Sequence, residues 1–158
     1  MDLLPLFEWC EASRLGQLVR TSTWMFAVTE AVHLLGLSVL GGALLVVDLR
    51  LLNVMLRDQP VATLMRGVRP WLNRSVVLML CSGFLLFMSE AVKCYHNPAF
   101  RVKMATLPLA LAFTYLVRER VAQRDTGPGV WMGRGLATGS VILWFTVAAA
   151  GRWIGFAS

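Results

Sequence analysis

The chain of 158 residues has little charge: 15% of its residues are Asp, Glu, Lys or Arg, and only 9 are acidic. An ordinary soluble domain carries about a quarter charged residues and is roughly half apolar. Here 57% are hydrophobic and the mean hydropathy is +0.64. That deficit excludes a disordered chain, a nucleic-acid-binding surface domain and most cytosolic enzymes, so nucleic acid is not an expected partner. With 3 Cys and 2 His, the sequence cannot build a disulfide scaffold or a zinc-finger array. A basic region ahead of the first apolar residues is missing too. Asp2 stands there and Glu8 interrupts the run, so no secretory signal peptide is expected. The net charge of +6 would indicate an anionic partner in a soluble protein. In a membrane protein such an excess is placed for topology.

What the sequence does have is long apolar runs. Four read as transmembrane helices, at about 24–47, 71–92, 102–117 and 136–150, the last starting as early as Trp131. Each approaches the ~20 residues that cross ~30 Å of hydrocarbon, the third and fourth being short. The runs are continuous and not alternating, which argues against strands. Arg57-Asp58-Gln59-Pro60, Asn97-Pro98 and Gly127-Pro128-Gly129 break the chain between them. The expected fold is all-α: a four-helix transmembrane bundle, up-down-up-down, forming one integral membrane domain over 1–158. Residues 1–20 are expected to add an interfacial helix, with Trp9 at headgroup depth. Trp24, Trp71, Trp131 and Trp153 fall near span ends, as an aromatic belt requires.

Counting Arg and Lys on each side gives an orientation. The first and third loops hold Arg50, Arg57, Arg66, Arg69, Arg74, Arg118, Arg120, Arg124 and Arg134. The other side holds Arg14, Arg20, Lys93, Arg101, Lys103 and Arg152. The bias places both termini outside, in the periplasm for a bacterial inner membrane.

Ionisable groups inside a span cost roughly 2.5–3.5 kcal/mol each on insertion scales and invite a functional reading. Glu30 and His33 are neighbours on one helix face, and their stripe continues through Leu37, Gly41 and Asp48. The second helix repeats the pattern with Ser75, Met79, Gly83 and Glu90, and Lys93 lies one turn beyond. Threading the topology brings Glu30, His33, Glu90, Lys93 and Lys103 to one end of the bundle. Met25, Met88, Met104, Cys94 and His96 reach similar depth. Each feature also has a plain structural use. Glu30–Lys103 or Glu90–Lys93 pairs lock register, His33 bonds Glu30 or a nearby hydroxyl, His96 is solvated, and the Met residues pack. Ser38/Gly42 and Gly135/Gly139 have small-xxx-small spacing, Pro108 frees the Met104 carbonyl, and Cys10 and Cys94 share a side where a disulfide is open to them.

Thr23-Trp24-Met25-Phe26, Glu30-x-x-His33-x-x-Gly36, Gly41-Gly42 and Asp48-Leu49-Arg50-Leu51-Leu52 resemble an uncharacterised family of small bacterial inner-membrane proteins. The same likeness extends to Ser82-Gly83-Phe84-Leu85-Leu86-Phe87, Glu90-Ala91 and Asn97-Pro98-Ala99-Phe100-x-x-Lys103. More distantly the chain is similar to copper-resistance CopD-like proteins and HemJ-type protoporphyrinogen oxidases, which pair an early-helix histidine with a lysine opening a later helix. That resemblance implies haem b on His33, with Lys103 holding a carboxylate or propionate.

Three functions compete. The first is a redox membrane protein that binds haem b or interacts with quinone through His33, Glu30, Glu90, Lys103 and a slot at Gly41. The second handles copper through His33, Met25, Met88 and Met104, soft ligands suited to Cu(I). The third is a cofactor-free accessory subunit of a larger membrane complex. A small transporter is less favoured, because no inverted repeat is visible. No catalytic residue is assigned.

Overall fold

Capping residues set where the long helices begin. Ser22 Oγ accepts the Met25 N–H at 3.3 Å, and Asn97 Oδ1 accepts the Ala99 N–H at 2.9 Å with Pro98 in the first turn. Pro60 stands immediately before another. In the computed structural model, which describes residues 3–122 and 129–156, the chain is all-α, with no strand among those residues. The order is α1 (Leu4–Ala12), α2 (Arg14–Thr21), α3 (Thr23–Leu51), α4 (Val61–Ser89), α5 (Ala91–His96) and α6 (Pro98–Ala112). A π-helical segment (Phe113–Arg118), α7 (Glu119–Ala122) and α8 (Val130–Phe156) complete it. Arg124 and the Gly127-Pro128 pair of the expected third turn lie outside the described residues.

Four helices are long and apolar enough to cross a membrane: Thr23–Leu51, Val61–Ser89, Pro98–Arg118 and Val130–Phe156. Only 11% of the apolar window of the third and 17% of that of the fourth is buried within the chain. Large apolar side chains such as Leu35, Ile142 and Phe145 point outward, as they must where the solvent is hydrocarbon. The chain is a multi-pass membrane protein.

The second span differs from its expected limits. Arg66, Arg69 and Pro70 lower the hydropathy before Trp71, yet α4 begins at Val61 and carries Pro70 inside it. A proline removes one backbone hydrogen bond, and neighbouring groups can re-satisfy the freed carbonyl. At 1.5 Å per residue α4 is about 44 Å long, so its basic first turns extend past the hydrocarbon. It ends at Ser89 because Glu90 (φ −134°, ψ 39°) leaves helical geometry before α5 starts.

The amino-terminal stretch is two short helices and not one. Ser13 breaks it, and its Oγ accepts the Gly16 N–H at 3.1 Å to open α2. α1 packs on α5 and α2 on α4, while Trp9 is exposed. Glu11 takes the Arg20 guanidinium as partner and accepts the Val92 N–H at 2.8 Å. Around the bundle α4 packs on α3, α3 on α8, and α8 on α6.

Candidate functional site

The two side chains with most chemistry, His33 on α3 and Lys103 on α6, each lie over a glycine of a neighbouring helix. A Cβ on Gly83 of α4 would sit 3.2 Å from His33 Cε1, and one on Gly151 of α8 would sit 3.4 Å from Lys103 Nζ. These glycines supply room for an imidazole and an ammonium, both half-buried, between neighbouring helices. Gly41, the expected slot, has nothing within 4 Å of such a Cβ and does not line the cavities at His33.

A hydrogen bond orients the imidazole. Ser82 has one hydroxyl hydrogen and donates it to Leu78 O at 2.6 Å. With that hydrogen so directed, its oxygen accepts from His33 Nδ1–H, at 2.8 Å. In that tautomer Nε2 keeps its lone pair, and it has no hydrogen-bond partner among the described residues. The group that orients His33 is Ser82, not Glu30. Lys103 likewise makes no ion pair there, so the expected Glu30–Lys103 pair does not form.

Two cavities meet at His33 and Lys103. One, of about 350 Å³, runs along the membrane-spanning helices past Leu37, Met79, Phe84, Phe100, Leu107 and Trp144. The other, of about 190 Å³, carries the polar groups: Glu30, Glu90, Cys94 and Arg152 line it with His33 and Lys103. Four residues named from sequence, Glu30, His33, Glu90 and Lys103, are thus brought together from α3, the α4–α5 junction and α6. Glu90 pairs with Lys93 at 3.8 Å, both partly exposed. Cys94 is buried beside them; burial, with the Glu90 carboxylate, pushes its thiol up to about 11. All three cysteines are free, so Cys10 and Cys94 do not pair. His96 is exposed, with its ring edge-on to Tyr95.

The methionines divide. Met104 lines the larger cavity. Met25 is exposed and Met88 is buried where its carbonyl faces Gly16, and neither lines the cavities at His33. Among the described residues no three His, Cys, Asp or Glu side chains are grouped to hold a metal ion.

Sequence reasoning missed a second polar centre at the opposite end of the bundle. Arg118 ends the π-helical segment and is fully buried, with Nη2 3.0 Å from Asp48 Oδ1 and donating to Leu44 O at 2.9 Å. Ser140 Oγ donates to Asp48 Oδ2 at 2.8 Å. By count Arg118 belongs to a loop. The wider π turn, which bonds i to i+5, changes the helix face and brings it inside. Asp48 was visible on the stripe of His33, but nothing local marks its partner.

No curated protein and no solved structure matches the chain, and the more distant likeness to CopD-like and HemJ-type proteins finds no support there. Over residues 6–157, which include every site residue described above, the chain matches one family model and belongs to the family of unknown function DUF6644.

Proposed function

We propose that this is a redox-class membrane protein whose larger cavity binds a quinone or quinol ring between His33 and Lys103. One observation carries the reading: an imidazole with a free Nε2 lone pair and an unpaired ammonium stand together at the polar end of an apolar cavity. A quinone is a flat apolar ring with oxygens on opposite edges. Lys103 donates to one oxygen. His33 Nε2 accepts from a hydroxyl of the reduced form. Aromatic walls from Phe84, Phe87, Phe100 and Trp144 suit the ring faces, and about 350 Å³ lies in the range of small-molecule pockets.

The contact with Ser82 supports haem b as the second reading. A ligating imidazole donates its other N–H to a neighbouring oxygen, as His33 does to Ser82. His33 would hold the iron, Lys103 and Arg152 would face the propionates, and Met104 is the remaining soft ligand on the same cavity. Copper is not adopted, because Met25 and Met88 stand apart from His33. Following the arginine bias, we assign the end that carries α1 and α2 to the periplasmic side of a bacterial inner membrane.

Detergent-purified protein, titrated with a soluble benzoquinol while its absorption spectrum is recorded, tests both readings. Quinol binding that is lost in His33→Ala supports the first. Ser82→Ala, which removes one hydrogen bond and frees the ring, should weaken binding roughly 2- to 13-fold, the equivalent of ~0.5–1.5 kcal/mol. A haem band that disappears in His33→Ala moves the assignment to haem b. Neither band nor binding overturns both.

A further inference from the structure

The ring of helix contacts does not close. α4 packs on α3, α3 on α8 and α8 on α6, but α4 and α6 share no extended contact among the described residues. Side-chain contacts join them at the two ends of the seam. At one end Phe87 of α4 stacks on Phe100 of α6 with centroids 5.5 Å apart, and Phe7 of α1 lies edge-on to both. At the other end the Tyr115 hydroxyl of the π-helical segment donates to Asn73 Oδ1 of α4 at 2.9 Å. Between these staples the larger cavity is rimmed by Leu80 and Phe84 on α4 and by Met104 on α6. All three are about half exposed although they line a cavity, so they form the edge of an opening. That opening lies between two of the helices long and apolar enough to cross a membrane, at a depth where the surrounding solvent is hydrocarbon.

We infer that the cavity is loaded sideways from the bilayer and that its ligand is a tailed lipid-borne quinone, the ring at His33 and Lys103 and an isoprenoid tail leaving between α4 and α6. This rests on the quinone reading above. The polarity gradient carries it: the groups that recognise oxygen lie at the inner end of the cavity, and the outlet is wholly apolar. The alternative approach, at the end that carries α1 and α5, passes Glu11, Arg20, Glu90, Lys93 and His96. A charged mouth of that kind admits small water-soluble ligands and disfavours a hydrocarbon tail.

Photoaffinity labelling in proteoliposomes tests the route, using one benzoquinone with an isoprenoid tail and an azide either on the ring or at the tail end. The ring probe should label peptides that contain His33 and Lys103, and excess unlabelled tailed quinone should abolish that label. The tail probe should label α4 near Leu80 and Phe84 and α6 near Met104 and Leu107. Met104→Trp should lose tail labelling, as should Leu80→Trp from the opposite rim if the first variant fails to insert. Leu109→Trp, on an outward-facing position of the same helix, should keep it. Ring label at His33 with tail label at Lys93 or His96 overturns the lateral route and leaves the quinone reading standing. Absence of any competed ring label overturns the quinone reading and the route with it.

Discussion

Replacing Arg118 by Met removes one half of an ion pair that water does not reach. Asp48 is 2% exposed and Arg118 is 0% exposed. Without the guanidinium, Asp48 retains a single hydrogen bond, from Ser140 to Oδ2 at 2.8 Å, and Oδ1, which faces Arg118 Nη2 at 3.0 Å, loses its only close partner. Arg118 Nε and Nη1 are without hydrogen-bond partners among the described residues. The pair is therefore weakly supported by its surroundings, and the cost of breaking it comes from the charge left behind. Stranding one buried ion costs about 3–5 kcal/mol, whereas removing both is far cheaper. By the usual conversion for a chain of this size, that single loss lowers Tm by roughly 6–20 °C. Asp48→Asn should cost a similar amount, since it strands Arg118 with Leu44 O alone. The double variant should be more stable than Arg118→Met by itself, with a coupling of about 0.5–3 kcal/mol. Reversible unfolding of the four proteins in mixed micelles reads all these quantities. An Arg118→Met protein within about 1 kcal/mol of wild type, or a double variant that loses the sum of the two singles, would refute the reasoning.

Gly16→Ala should undock the amino-terminal helix pair, because its Cβ would lie 2.5 Å from Met88 O and 2.8 Å from Glu11 O, both backbone atoms that cannot swing away. The expected cost is ~1–3 kcal/mol, read as faster proteolysis before Thr23 with α3–α8 still intact. Cys94, whose thiol is pushed up to about 11 mainly by burial, stays a neutral thiol at neutral pH. Alkylation at Cys94 should rise only as pH approaches that value, and rapid modification at pH 7 would contradict its burial. An alkaline-phosphatase reporter fused to the carboxyl end should be active if that end is periplasmic; activity only from a cytoplasmic reporter rejects the assigned orientation.

The number and type of the membrane-crossing helices were legible in the sequence because each depends on a local sum. An apolar run of the right length must satisfy its backbone internally, and a helix does so without outside help. The stripe Glu30, His33, Leu37 was legible for a similar reason: helical periodicity fixes which residues share a face. Convergence with Glu90 and Lys103 followed from helix direction alone. Helix limits were less legible, because Arg66 and Arg69 lower hydropathy without ending α4. The structure decided what depends on which helices touch. It placed Gly83 and Gly151, not Gly41, beneath His33 and Lys103, and of the two partners open to His33, Glu30 or a nearby hydroxyl, it supplied the hydroxyl, that of Ser82. It also carried Arg118 from the loop count to Asp48 through one wide π turn. The open seam between α4 and α6 is likewise invisible in either helix alone, since an outward apolar side chain reads the same whether it meets lipid, a neighbouring helix or a cavity. Composition and period determine that a helix buries an apolar face; only the tertiary arrangement determines against what.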